Sequence, residues 1–274
     1  VSPGVHQAMQ IAAEQANLKL LGAAQAPLCG LIGALASSGD LGDEGLGESS
    51  VVVLCDVGRS TDIAVMRVDE VCGEHGIEGI GPIPYEEDHV EVLHMASEPF
   101  VGGRLFDKSV IDWLVHDFER QNKIDLTTDE MTMMRVRNAA QSARLELSSK
   151  IQSEINEPFI TADATGPKHL IATLPRSKLE MLCRGDADKI VAMCNRAVEA
   201  AGLSAEELDS AHLVILGGMA RMPMVVEEVR KAMKAKGGEN MKYMQLDQPE
   251  EMVALGAGIK GAVKATIAAA AGGD

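Results

Sequence analysis

Runs of apolar, β-branched residues predict the strands of this chain. Residues 50–56 (SVVVLCD) form a continuous apolar run, which is typical of a strand buried on both faces. Residues 60–68 alternate between apolar and polar positions and predict an antiparallel partner strand across a turn at 57–60. The same reasoning predicts further strands at 90–96, 151–157, 169–174 and 213–218.

Apolar residues at helical spacing predict helices between these strands. After Gly102 and Gly103 the period becomes helical, with one stripe formed by Phe106, Val110, Ile111, Leu114, Val115 and Phe118. Other helical patterns cover 6–21, 27–35, 128–149, 176–201, 223–236 and the segment after Pro249. This order of elements predicts an α/β fold with a helix-rich insertion.

A segment rich in glycine, serine and acidic residues, 37–50, interrupts the pattern after the second predicted helix. It offers almost no side chains to bury, so it predicts a solvated loop or linker. This segment is the clearest organisational boundary in the sequence.

The composition excludes several classes of function. Acidic residues outnumber basic ones by 41 to 25, and the formal net charge is −16. Because lysines and arginines are scattered among acids, we expect no direct binding to nucleic acid. No apolar run is long enough for a transmembrane helix, so membrane insertion is not expected. The five cysteines form no Cys-x-x-Cys pair and the seven histidines show no metal-binding spacing, which predicts neither a disulfide framework nor a metal site.

Two glycine-containing turns are candidate phosphate-binding sites. The first, 56–62, joins two predicted strands; its glycine would let backbone N–H groups approach an oxyanion, and Asp56 could hold a metal-bound water. The second, 216–218, ends a strand before a helix, where exposed amides favour anions. Taken by itself, each turn is explained more simply by glycines that only shape the backbone.

Four long segments resemble the 70-kDa heat-shock chaperone family. They are 101–126 (VGGRLFDKSVIDWLVHDFERQNKIDL), 143–183 (ARLELSSKIQSEINEPFITADATGPKHLIATLPRSKLEMLC), 213–225 (LVILGGMARMPMV) and 247–263 (DQPEEMVALGAGIKGAV). The run EINEPFITADATGPKHL is most similar to the bacterial and mitochondrial branch. The resemblance is nearly continuous from about residue 50 to 264. It implies an actin-like ATPase fold, in which two lobes enclose a nucleotide.

The resemblance covers only the second lobe of that ATPase domain, a mixed sheet plus helices with a helix-rich inserted subdomain. It implies crossing helices and an acidic linker at 1–50, a base subdomain at 51–101 and 189–274, and an inserted tip subdomain at 102–188. The first lobe's phosphate hairpin, its water-positioning lysine and the peptide-binding domain have no counterpart. The extent of the resemblance therefore argues against a complete chaperone.

Residues 1–35 resemble more loosely the helices that precede the family's second lobe, and the hydrolytic carboxylate of the family is missing from them. The family's run Asn-Glu-Pro-Thr, whose glutamate lies beside the water that attacks ATP, corresponds here to residues 25–28, Gln-Ala-Pro-Leu. Ala26 therefore replaces that glutamate. Because a methyl group can neither accept a proton nor orient water, no catalytic residue is predicted.

The resemblance marks Asp56, Gly58 and Thr61 as nucleotide-binding candidates in the second-lobe phosphate turn. The family's turn reads Asp-Leu-Gly-Gly-Gly-Thr-Phe-Asp, whereas this chain has Arg59 and Ser60 in place of two glycines and one residue fewer. Arg59 could pair with a phosphate, but we expect its Cβ to obstruct backbone conformations that only glycine adopts easily. Phosphate binding is therefore expected to be weakened or lost.

The adenosine end of the site is less altered. The family holds the ribose and base with a Glu-x-x-Lys-x-x-x-Ser pattern and a Gly-Gly turn, and the matching positions are Gln141, Arg144, Ser148, Gly217, Gly218 and Arg221. Helical spacing places the first three on one face. Gln141 could still bind ribose hydroxyls, and Arg144 could stack on a purine. An ordinary solvated helix face remains the alternative, so we expect either no cofactor or weakly bound ATP or ADP.

These departures favour a truncated, degenerate chaperone ATPase domain that acts as a structural and interaction protein without hydrolysing ATP. The branch resemblance implies a larger assembly in the mitochondrial matrix, with the bacterial cytoplasm as the alternative. The alternative function is the second half of an active ATP-dependent folding chaperone whose remainder lies outside this chain.

We also expect a protein partner to cover the face that the missing lobe would cover. Splitting the domain would expose apolar side chains beside the cleft, namely Leu28, Leu31, Ile32 and Leu35. Large apolar patches are rarely left bare on soluble monomers. The alternative is that residues 1–35 fold back and cover this face themselves.

Overall fold

The computed structural model describes residues 3–20, 22–37, 46, 49–68 and 89–271. Its helices are α1 (Pro3–Gln15), α2 (Ala26–Ser37), α3 (Gly103–Asn122), α4 (Glu130–Glu146), α5 (Arg176–Ala201), α6 (Ala205–Asp209), α7 (Pro223–Ala235) and α8 (Met252–Ala271). Its strands are β1 (Ser50–Val57), β2 (Thr61–Val68), β3 (Val90–Glu98), β4 (Gln152–Asp163), β5 (Gly166–Pro175), β6 (His212–Leu216) and β7 (Lys242–Met244). The predicted linker falls mostly on 38–45, 47 and 48, which lie outside the described residues.

A five-stranded mixed sheet in the order β3-β2-β1-β6-β7 forms the centre of the fold. β1 pairs antiparallel with β2, as the sequence predicts, and parallel with β6. The side chains of β1 alternate between two cores: Val53 and Cys55 belong to the core on one face, Val52 and Leu54 to the core on the other. Burial on both faces explains why this run is apolar throughout, and the predicted α/β class is confirmed.

Helix α2 lies inside one of these two cores. Leu28, Leu31, Ile32 and Leu35 are between 0% and 5% exposed, because α2 packs against α8 and the sheet. The prediction that these four side chains form an exposed apolar surface is therefore wrong. The elements that cover these side chains are α8 and the sheet, and a partner on the face of the missing lobe stays a prediction.

Helices α3 and α4 and the β4–β5 hairpin lie between the two sheet-forming parts of the sequence. Arg135 of α4 fixes the hairpin by donating to the Glu157 carboxylate and to the carbonyls of Pro158 and Phe159. Helix α5 continues without a break across positions 188 and 189, where the sequence places a subdomain boundary. The base and tip regions are therefore joined by one continuous helix.

Two short elements are absent from the predictions. Helix α6 begins with a capping box, in which the Ser204 hydroxyl accepts from the Glu207 amide and the Glu207 carboxylate accepts from the Ser204 amide. The Ser-x-x-Glu spacing was a readable signal for this helix. β7 has only three residues, too few to show alternation. No helix among the described residues has the length and apolar character needed to cross a membrane.

Candidate functional site

Both candidate phosphate turns border a single cavity of about 420 Å³. It lies between the β1–β2 turn, the start of α3, the end of α4 and the turn after β6. Its lining residues are Gly58, Arg59, Gly103, Arg104, Asp107, Gln141, Arg144, Leu145, Gly218 and Met219. Four of the candidates named from the sequence, Gly58, Gln141, Arg144 and Gly218, thus meet in one place.

The β1–β2 turn is held against the start of α3 by a close backbone approach. The amide of Gly103 donates to the carbonyl of Gly58 over 2.9 Å. Gly102 has φ of +147°, and a Cβ there would lie 2.8 Å from the carbonyl oxygens of both Gly58 and Arg59. Only glycine allows this contact, so the Gly102-Gly103 pair fixes one wall of the cavity.

The turn itself does not need glycine at its two altered positions. Arg59 and Ser60 both lie outside the positive-φ region, so the expected backbone obstruction by the Cβ of Arg59 does not arise in this conformation. The amide of Gly58 donates within the turn to the carbonyl of Ser60 over 2.9 Å. That amide is thus already used, which leaves the Arg59 side chain as the cationic group that this turn adds to the cavity.

Thr61 and Asp56 lie behind the cavity wall instead of lining it. The Thr61 hydroxyl is fully buried and donates to the carbonyl of Val101 over 3.0 Å. Asp56 stands opposite Asp62 at the end of the β1–β2 ladder. Burial, and secondarily the charge of Asp62, raises the pKa of the Asp56 carboxyl above its usual range. Such a carboxylate holds a proton more tightly than an exposed one.

Gly217 brings the end of β6 against Asp56. It has φ of +81°, and a Cβ there would lie 2.5 Å from the carbonyl oxygen of Val57 and 2.7 Å from Oδ1 of Asp56. Its amide donates to the carbonyl of Pro249 over 2.9 Å. Gly217 therefore shapes the floor of the site without lining the cavity.

Arg144 is the most deeply buried cation of the site. Its side chain is 9% exposed and its Nε donates to Asp107 over 2.5 Å, while Nη1 lies 3.3 Å from the sulfur of Met219. The ion pair holds the guanidinium plane at the cavity wall. Stacking on a purine, the role expected from the sequence, would have to occur with this pair intact.

Two further adenosine candidates, Ser148 and Arg221, do not line the cavity. Ser148 lies beyond the end of α4, which ends at Glu146. Arg221 donates from Nε and Nη2 to the Glu250 carboxylate, at distances of 2.6–3.0 Å. Gln141, by contrast, lies at the exposed rim, where its amide can reach a bound hydroxyl.

Ala26 borders a different cavity, of about 460 Å³, beside α8. The position that the sequence resemblance matches to the hydrolytic glutamate is thus not on the lining that Gly58 and Gly218 share. Among the described residues, no group of three or more His, Cys, Asp or Glu side chains could hold a metal ion.

The sequence reasoning missed Arg104, Asp107, Leu145 and Met219. Arg104 and Asp107 lie one turn apart at the start of α3, so helical spacing places them on one face, but no local pattern shows that this face meets the two turns. With them the cavity holds three guanidinium groups, of Arg59, Arg104 and Arg144, and one carboxylate. Asp107 pairs with Arg144, and neither Arg59 nor Arg104 pairs with a carboxylate in the described part of the chain. The cavity is therefore electropositive in an acidic protein and suits an anionic ligand.

A comparison with protein-family models finds a match, described as Hsp70 protein, over residues 43–269. This range covers well over half of the chain and includes every element from β1 to most of α8.

Proposed function

Since the chain belongs to the Hsp70 protein family, we propose that it is a degenerate chaperone-related ATPase domain that works as a structural and interaction protein and does not hydrolyse ATP. The observation that carries this proposal is Ala26, a methyl group where the sequence resemblance of residues 25–28 implies the family's carboxylate, at a position that precedes the matched range 43–269. Ala26 also borders a cavity other than the one formed by the two phosphate turns. Loss of a positioned acid–base group typically lowers a rate by roughly 10²–10⁴-fold.

We further propose that the electropositive cavity binds ATP or ADP weakly. Gln141 and Gly218 would contact the ribose and base, and Arg59 would pair with phosphate in place of the missing glycine amides. The internal hydrogen bond of the Gly58 amide supports a weaker phosphate site, because that donor is already satisfied. Burial, and secondarily the charge of Asp62, raises the pKa of the Asp56 carboxyl, so the charged form that would hold a metal-bound water is less favourable here than at an exposed position.

The interaction role rests on two exposed apolar side chains. Leu145 lines the cavity and is 53% exposed, and Phe100, in the segment before α3, is 73% exposed. A partner that covers the cavity mouth would bury Leu145, and a partner that also extends over the segment before α3 would bury Phe100. A stable complex of ordinary size buries about 800 Å² on each partner. We place the protein in a larger assembly of the mitochondrial matrix on the strength of the branch resemblance, with the bacterial cytoplasm as the alternative.

The hydrolysis part is tested by magnesium-dependent phosphate release from ATP by the purified chain, with Asp56→Ala as the matched control. We expect the two proteins to release phosphate at the same background rate. A magnesium-dependent rate that Asp56→Ala abolishes would overturn the proposal and favour an active ATPase. Calorimetry with ADP tests nucleotide binding separately, because Arg59→Gln should weaken it while Arg137→Gln, on the exposed face of α4, should not.

A further inference from the structure

The second cavity, of about 460 Å³, lies between the segment before α2, the first turn of α2 and one face of α8. Its volume falls within the roughly 300–1,000 Å³ that is usual for small-molecule pockets. Leu20, Cys29, Val253 and Ala257 are among its apolar lining residues. Pockets of this kind bind the apolar part of a ligand and use a few polar groups to orient it.

Among the described residues, the charged side chains on this lining are three lysines, Lys19, Lys260 and Lys264. No described aspartate or glutamate lines the cavity, although acidic residues outnumber basic ones by 41 to 25 in the chain as a whole. Lys260 and Lys264 lie one helical turn apart on α8, which places their ammonium groups on the same face. Neither Lys19 nor Lys264 pairs with a carboxylate within the residues that the structure describes. The charge contrast selects for an anion.

Gly22 makes room for one of these cations. A Cβ at position 22 would lie 2.8 Å from Nζ of Lys264. The hydrogen that glycine carries there lets the ammonium group lie against the backbone at the edge of the cavity. Ala26 has a related effect, because a glutamate at this position would add a carboxylate to a lining whose described residues include none.

From the apolar lining and the lysine rim, we infer that this cavity binds an aliphatic carboxylate, that is, the anion of a medium-chain or long-chain fatty acid. The alkyl chain packs against Val253 and Ala257, and the carboxylate head accepts hydrogen bonds from the ammonium groups of Lys19 and Lys264. This site is separate from the cavity between the two phosphate turns, so the inference does not depend on nucleotide binding.

The test is isothermal titration calorimetry of the full chain with decanoate below its micelle concentration. We expect saturable binding of one decanoate per chain. Uncharged decanol should bind at least fivefold more weakly, and decyltrimethylammonium should not bind. Lys264→Gln should weaken decanoate binding about threefold to fivefold, which is the size of one exposed ion pair. Lys242→Gln, an exposed lysine on β7, is the matched control and should change nothing.

A second variant protects the test against a fold defect. Ala26 is exposed and lies in the first turn of α2, where the carboxylate introduced by Ala26→Glu is favourable for the helix. It should therefore fold, as checked by circular dichroism, yet bind decanoate at least fivefold more weakly by like-charge repulsion. Equal affinities for decanoate and decanol, unchanged affinity in both Lys264→Gln and Ala26→Glu, or no saturable binding of decanoate at all would each overturn the inference.

Discussion

Gly256 of α8 and Cys29 of α2 approach so closely that a Cβ at position 256 would lie 1.8 Å from the Cys29 carbonyl oxygen. A second contact repeats the pattern, because a Cβ at Gly33 would lie 2.0 Å from the carbonyl oxygen of Met252. The two helices are thus in backbone contact at both points. This packing closes the core that contains Leu31 and Ile32.

The first prediction concerns this helix pair. Gly256→Ala should destabilise the chain by about 1–3 kcal/mol or more, because the new methyl group forces α2 and α8 apart. The control is Gly258→Ala on the same helix, where a Cβ meets no atom within 4 Å. It should be neutral or stabilising by roughly 0.5–1 kcal/mol, since alanine favours the helix. Urea unfolding measures both, and equal midpoints for the two variants would contradict the predicted contact.

Asp56 should make the stability of the chain depend on pH. Its folded-state pKa is raised from 3.8, so its contribution to stability is fully present below about that pH and is lost as the pH rises through the folded-state value. Asp56→Asn removes this titration, so the variant should gain stability over the wild type as the pH rises from 4 to 7. Urea unfolding at several pH values measures the difference.

Asp209 provides a control of opposite sign for that experiment. Its pKa is lowered, mainly by the hydrogen bond that it accepts from the Asn240 amide. Its stabilising contribution is therefore present above 3.8 and is lost as the pH falls. The loss of unfolding free energy caused by Asp209→Asn, measured against the wild type, should be largest near neutral pH. Parallel pH profiles of stability for Asp56→Asn and Asp209→Asn would contradict the opposite directions of the two pKa shifts.

The ion pair between Arg144 and Asp107 should matter more than the exposed pairs nearby. Asp107→Asn leaves the 9%-exposed guanidinium of Arg144 without its carboxylate, and we expect a loss of about 1–3 kcal/mol. Lys108→Gln removes an adjacent pair, with Asp112, whose side chains are 67% and 61% exposed, and should cost less than about 0.5 kcal/mol. Thermal unfolding compares the variants, and a smaller effect for Asp107→Asn than for Lys108→Gln would show that the pair is dispensable.

The buried cysteines should resist alkylation in the folded chain. The sulfurs of Cys55 and Cys194 lie 3.5 Å apart, and this thiol–thiol hydrogen bond, together with burial, raises the pKa of Cys55 well above its usual range. Burial raises the pKa of Cys183 to about 12. Because the thiolate is the reactive form, iodoacetamide at pH 8 should modify these residues only at the rate of unfolding. Peptide mass spectrometry with and without urea tests this, and fast modification of Cys55 in native buffer would contradict it.

The proposed partner surface makes a prediction about association. The isolated chain should self-associate through the exposed side chains of Phe100 and Leu145, and the double substitution Phe100→Glu and Leu145→Glu should relieve this by placing charge there. Met181→Glu is the control, because Met181 is 62% exposed on a different helix, α5. Light scattering measures the effect. If the chain is a monomer both with and without the double substitution, Phe100 and Leu145 do not form a self-association surface.

The sequence alone determined the order and type of the main elements. The β1 run is apolar throughout because its side chains alternate between two cores, and the stripe of α3 marks the side that packs inward. Such patterns are local, since burial acts on each side chain at its own position in a strand or helix. The two phosphate turns were identified from their glycines at strand ends, and Gln141, Arg144 and Gly218 were identified from the family resemblance, not from burial patterns.

Tertiary structure alone decided which groups pair and which faces are covered. The carboxylate that neutralises Arg144 is Asp107, 37 positions earlier, and the sequence offers several other acids at comparable distances. Leu28 and Leu31 are buried because α8, more than 200 residues later, lies across α2 where Gly33 and Gly256 permit backbone contact. An apolar helix face shows that something must cover it, but the covering element is set by long-range packing, which no local pattern encodes.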